Sequence, residues 1–128
     1  MTERNTYTPL QEAWLTDMES GEFKQCKGAL RRGDAYCCLG LATKRAAPES
    51  PALKLDEVNE SMGISNGSQF PPSLVVERMR FISDAGGDRD ADLSVMNDNG
   101  ATFAEIAEFV RKEPWKVFTN FDAPEADQ

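Results

Sequence analysis

Leu10, Ala13, Trp14 and Met18 fall on one face at helical spacing, and Phe103, Ile106, Ala107 and Val110 repeat that pattern near the other end of the chain. Each stretch carries its own start signal. Thr8, Pro9 and Gln11 combine a capping hydroxyl, a proline suited to the first helical turn and a glutamine that reaches back, and Thr102 with Glu105 forms a capping box. Gly21 supplies a left-handed stop for the first helix, and Pro114 ends the last.

Between these ends the periodicity shortens. The run from Phe23 to Arg31, the Arg32-Gly33-Asp34 turn and the run from Ala35 to Gly40 read as two short strands around a Gly-Asp turn. The second strand is expected to give way to a short helix through Leu39, Leu41, Ala42 and Ala46, stopped by Pro48 and Pro51. Residues 47–52 read as an exposed loop, Lys54 to Val58 as extended chain, and Gly63, Asn66 and Gly67 as turns. Pro71-Pro72-Ser73 opens a third helix whose inner face is expected to carry Leu74, Val75, Arg78, Met79 and Ile82. Asp84 to Asp92 reads as a solvated loop, and Asn97-Asp98-Asn99-Gly100 as a turn into the Thr102 cap. Trp115, Val117, Phe118 and Phe121 are too apolar for a solvated tail and should pack back, leaving Asp122 to Gln128 disordered.

The fold class this predicts is α+β: a small antiparallel β-hairpin or sheet near residues 23–40 packed against three or four helices, with Trp14, Leu30, Leu39, Phe103, Ile106 and Val110 in the core. A chain of 128 residues with 40% hydrophobic and 28% charged residues builds one such core, so residues 1–121 are read as a single domain and 122–128 as an acidic tail.

Composition then narrows the chemistry. No stretch approaches the roughly 20 apolar residues of a membrane helix, and the polar segment Met1 to Tyr7 carries no signal-like run, so a cytoplasmic location is expected. The three cysteines, Cys26, Cys37 and Cys38, are an odd number suited to a reducing compartment. The chain has no histidine, which removes the commonest general base and zinc ligand; no metal, cofactor or catalytic residue is assigned. Net charge is −8 and unevenly spread: residues 1–54 hold 8 basic and 7 acidic side chains (+1), residues 55–128 hold 6 and 15 (−9). That acidic half disfavours direct contact with nucleic acid or anionic lipid and would attract a basic protein surface.

Gln25, Gly28-Ala29-Leu30-Arg31, Tyr36-Cys37-Cys38-Leu39-Gly40 and, far downstream, Met96-Asn97-Asp98-Asn99-Gly100-Ala101-Thr102-Phe103 together resemble a family of small bacteriophage and prophage proteins. The similarity runs from about Trp14 to Val110. Its members share a Trp-containing first helix, a Lys-Gln-x-x-Gly-x-Leu strand, a Tyr-Cys-Cys-Leu-Gly segment and a Leu-Asn-Asp-x-Gly-x-Ser/Thr-Phe ending. Where relatives commonly continue Leu-Gly with Val-Leu-Cys-Asp, this chain has Leu41-Ala42-Thr43-Lys44. The resemblance implies a viral accessory role in a bacterial host and brings no ligand or catalytic residue with it.

Two residue sets are candidates for chemistry. Lys24, Lys27, Arg31 and Arg32 are the one concentrated run of positive charge, suited to a phosphate or an acidic surface, with Gln25 and the Gly28 amide as neutral donors and Asn97 and Asp98 as polar readers beside them. The alternative for these residues is an ordinary solvated sheet face and a turn. Cys37 and Cys38 are either buried small hydrophobes or a nucleophile, and packing is the favoured reading because no histidine can activate them. The loops around Asp84 and Asp98 lack the ligand pattern of a calcium site.

These readings give three functional expectations. The first is a non-catalytic phage accessory protein that inhibits a bacterial antiviral defence system, as anti-CRISPR proteins do, by docking its acidic half on a basic protein site. The second is a protein, possible as a homo-oligomer, that sequesters a small anionic nucleotide signal through the basic set. The third, a thiol or carboxylate enzyme, needs a group that the sequence does not visibly supply.

Overall fold

The computed structural model describes residues 5–27, 29–48, 71–88 and 91–124. The expected extended run at 54–58, the turns around 63–67, the Gly28 amide and the last four residues lie outside them.

The first helix, α1 (Pro9–Ser20), forms where its cap predicts. The Thr8 hydroxyl accepts from the Gln11 N–H at 3.1 Å, the Gln11 side chain accepts from the Thr8 N–H at 2.9 Å, and Gly21 closes the helix at φ 75°. Its inner face buries Trp14, Leu15 and Met18. Gln11 is also fully buried; its Nε2 donates to the Met79 carbonyl and to Asn120 Oδ1, and Asn120 Nδ2 donates back to Gln11 Oε1. This amide pair ties the start of α1 to the chain after the last helix.

Residues 23–36 form a three-stranded sheet of two-residue strands, β1 (Lys24–Gln25), β2 (Arg31–Arg32) and β3 (Ala35–Tyr36), in the order β1-β3-β2. The hairpin around Gly33-Asp34 is β2–β3, as expected. The first strand is shorter than the sequence suggests and pairs parallel to β3, so the sheet is mixed where an antiparallel one was expected. Strands this short have no alternation by which sequence could fix their partner.

The expected second strand stops at Tyr36. Cys37 is the N-cap of α2 (Cys38–Ala46), its sulfur accepting from the Gly40 N–H at 3.3 Å, and Cys38 is the first helical residue. Almost every side chain of α2 is buried, and Trp14 Nε1 donates to the Cys38 carbonyl at 2.9 Å. α2 is therefore the central helix, packed on α1 and on the two that follow.

Helix α3 (Ser73–Met79) buries Val75 and Met79, while Leu74 and Ile82 are turned outward and Arg78 is exposed. The inner face is thus one i, i+4 pair, not the wider stripe expected. The loop from Asp84 to Asp92 is less solvated than it reads, because Gly86 and Gly87 are buried; a Cβ on Gly87 would lie 2.3 Å from the Ala91 carbonyl oxygen. Asp92 caps a helix that the sequence does not announce, α4 (Leu93–Asp98), so Asn97 and Asp98 end a helix and only Asn99-Gly100 turn.

The last helix, α5 (Phe103–Lys112), carries the full Thr102/Glu105 capping box and buries Phe103, Ile106, Ala107 and Val110. A 3-10 turn at Pro114–Lys116 then returns Val117 and Phe118 to the core, where Phe81 stacks on Phe118 and meets Trp14 edge-on at 5.2 Å. All six expected core residues are buried. Asp122, expected as the first residue of a loose tail, donates its N–H to Asn5 Oδ1 at 2.8 Å.

The Thr102 cap gives a first quantitative expectation. Thr102→Ala removes the acceptor for the Glu105 N–H and is expected to lower stability by about 1 kcal/mol, with Thr102→Ser close to the parent. Urea denaturation monitored by tryptophan fluorescence measures it; equal midpoints for the alanine and parent proteins would show that the cap is not formed in solution.

Candidate functional site

The residues singled out from the sequence meet where the sheet, the start of α2 and the α4–α5 junction converge. Asn97, fully buried, is at the centre. Its Oδ1 accepts from Gln25 Nε2 at 2.8 Å and from the Cys38 N–H at 3.1 Å, and its Nδ2 donates to the Cys26 carbonyl at 2.7 Å. Gln25 Nε2 donates further to the Ala101 carbonyl at 2.7 Å, while its Oε1 accepts from the Phe103 N–H at 3.0 Å. The first N–H of a helix has no intrahelical partner. Here Asn97 satisfies that group for α2, and Gln25 does so for α5. These two amides join chain segments 59 to 78 residues apart, and their polar atoms face those segments.

The cations around this hub do not converge. In the sheet register Lys24, Ala35 and Arg32 form one row and Gln25, Tyr36 and Arg31 the next, so the side chains of the two rows leave opposite faces. Lys24 pairs with Asp34 at 3.0 Å and holds that carboxyl below the usual carboxylate range. Arg31 Nε donates to the Gly33 carbonyl at 2.6 Å with its guanidinium 5.9 Å from the Tyr36 ring centre, and Arg32 Nε donates to the Lys27 carbonyl at 3.2 Å. Lys27 extends over Gly100, and Asp98 is exposed at the end of α4.

Cys37 and Cys38 are buried as neutral thiols. Burial pushes the Cys37 thiol up to about 12 and the Cys38 thiol well above its usual value, and the Cys38 S–H donates to the Leu93 carbonyl at 3.5 Å. A nucleophilic thiol needs the opposite shift. Among the described residues no group of three or more Cys, Asp or Glu side chains is placed to hold a metal ion, and no helix is long and apolar enough to cross a membrane.

A different surface stands out from the structure. Leu74 on α3 is 46% exposed and Ile82, just beyond the helix, 39%, large values for aliphatic side chains on one short segment. Beside them a depression of about 300 Å³ is lined by Pro71, Ser73, Val76, Glu77 and Asp84. Its floor is apolar and its two carboxylates are solvent-facing, the make-up of a contact patch with a desolvatable centre and a charged rim.

No protein-family model, curated protein or solved structure matches the chain.

Proposed function

We propose that this protein works by binding rather than catalysis, as a phage-type accessory protein that inhibits a bacterial antiviral defence system by docking on a basic protein site. The observation that carries this reading is the α3 depression, where Pro71 and Val76 are rimmed by Glu77 and Asp84 with Leu74 and Ile82 exposed alongside. Apolar surface at such a place gains by leaving water, and the carboxylates select a partner rich in Lys or Arg, such as a nucleic-acid-binding groove.

The rest of the C-terminal half strengthens that field. Its cations are partly neutralised within the fold: Arg111 is clamped by Glu12 and Glu19 of α1, and Lys116 pairs with Glu113. Glu77, Asp84, Glu105 and Glu108 remain exposed. These exposed carboxylates, in a half whose sequence carries a net −9, present an attractive field to a basic partner, which speeds encounter at low salt.

The test is a phage-plating assay in bacterial strains that each carry one defined defence system, with the protein expressed in the host. Wild-type protein is expected to restore plating in at least one strain. Glu77→Lys with Asp84→Lys should abolish the rescue while leaving the fold intact, because like charge across an interface costs several kcal/mol and lowers affinity by on the order of a hundredfold or more. Arg31→Glu with Arg32→Glu should leave it unchanged. Rescue that survives the α3 reversal but fails with the arginine reversal would overturn the reading and favour capture of an anion at the hairpin.

A further inference from the structure

The parallel register of β1 and β3 brings two cysteines side by side. Lys24 pairs with Ala35 and Gln25 with Tyr36, and the ladder continues one step as the Cys26 N–H donates to the Tyr36 carbonyl at 2.9 Å. Cys26 therefore stands opposite Cys37, which is still extended at φ −85° and ψ 175° before α2 begins. Adjacent strands lie about 4.8 Å apart and paired residues of a parallel ladder share a face. A disulfide takes Cα atoms roughly 4.4–6.8 Å apart, a range that includes the spacing of residues paired in this register.

The connection between strands points the same way. With the order β1-β3-β2, the chain from Cys26 to Leu30 must cross the end of β3, and that end is Cys37, whose N–H donates to the Leu30 carbonyl at 3.1 Å. The Cys26 S–H donates along this crossing to the Ala29 carbonyl at 3.6 Å. Cys38 is turned elsewhere, toward Leu93, and a Cys37–Cys38 bridge would need a strained ring between neighbours.

We propose that Cys26 and Cys37 form a dithiol modification site that closes to an intramolecular disulfide under an oxidant of the hydrogen peroxide class. Cys26, the half-buried member, reacts first: its sulfur takes one oxygen from peroxide, giving a sulfenic acid and water. The Cys37 sulfur then attacks the Cys26 sulfur, the S–O bond breaks, and the thiol proton leaves with the hydroxyl as a second water. Two thiols lose two electrons and one peroxide becomes two waters. Proximity compensates for the poor ionisation of Cys37. The bridge joins β1 to the cap of α2, across the segments that Asn97 holds, and is independent of the docking reading above.

Full-length protein, reduced and then treated with hydrogen peroxide, is alkylated, digested and mapped by mass spectrometry. The expected product is a monomer lighter by two hydrogens, with a Cys26–Cys37 linked peptide and Cys38 alkylated only after unfolding. Cys26→Ser and Cys37→Ser should each abolish the link, and Cys38→Ser should keep it. Serine is a strong N-cap, so the Cys37→Ser protein retains its helix start and stays folded. Accumulation of sulfinic acid at Cys26 without a link, a covalent dimer through Cys26, or a Cys37–Cys38 bridge would each overturn the proposal.

Discussion

Gly40→Ala is expected to destabilise the protein by on the order of 4 kcal/mol or more, a large share of the roughly 5–15 kcal/mol that holds a domain folded. In an ordinary helix this substitution is favourable by about 1 kcal/mol, because alanine loses less backbone entropy than glycine. Here an added Cβ would lie 1.8 Å from the Leu30 carbonyl oxygen and 2.7 Å from its carbon. Both obstacles are backbone. The Leu30 carbonyl cannot retreat without losing the Cys37 N–H, and α2 cannot shift without dragging the Cys37 cap and the Trp14–Cys38 bond with it. The clash therefore outweighs the propensity gain. Gly21→Ala is the matched control: its φ of 75° is strained for alanine, yet nothing lies within 4 Å of the new methyl, so the cost should stay near 1–2 kcal/mol. Urea midpoints for the two variants separate the cases. A Gly40→Ala protein within about 1 kcal/mol of the parent would mean that α2 does not pack directly on the Leu30 backbone.

The contrast between these glycines reflects what the sequence could reveal. Signals confined to a few neighbouring residues were readable: both capping boxes, the Gly21 stop, the Gly33-Asp34 hairpin and the apolar faces of α1 and α5. Gly21 belongs with them, since its role is its own φ. Gly40 does not, because its role is set by Leu30, which lies against it only after the sheet has formed. The same holds for β1, whose partner strand nothing local specifies, and for α4, a six-residue helix whose buried positions are one leucine and one asparagine. An asparagine at an inward position carries no hydrophobic signal. Cys37 as an N-cap was hidden for a chemical reason, since sulfur is a weaker acceptor than the oxygens usually found there. In the α3 surface, the outward turn of Leu74 and Ile82 follows from the direction of one short helix relative to α2, which no local pattern encodes.

Asn97 is where these long-range contacts can be tested against a ligand-reading role. Truncating it to alanine removes the Asn97 amide from the Cys38 N–H and the Cys26 carbonyl and takes one of the two acceptors from Gln25 Nε2. Each buried polar group left unsatisfied costs about 1–3 kcal/mol, so Asn97→Ala should lose about 3–5 kcal/mol. A residue that read a ligand at the surface would change stability by no more than about 0.5 kcal/mol, as expected for the exposed neighbour in Asn99→Ala. Asn97→Asp sharpens the distinction. The introduced carboxylate still accepts from Gln25 and the Cys38 N–H but turns a second oxygen toward the Cys26 carbonyl, where the amide had a donor. Only the protonated acid restores that donor, and burial disfavours the charged form as well, so the folded-state pKa lies above the unfolded value of about 3.9. The carboxyl's stabilising contribution is fully present below the unfolded pKa and is lost as pH rises through the folded one. Relative to the parent, Asn97→Asp should therefore be most destabilised at neutral pH and recover toward pH 4, read as paired urea midpoints across that range. A variant with parent-like stability at every pH would show that the amide hub is not what holds α2, α4 and α5 to the sheet.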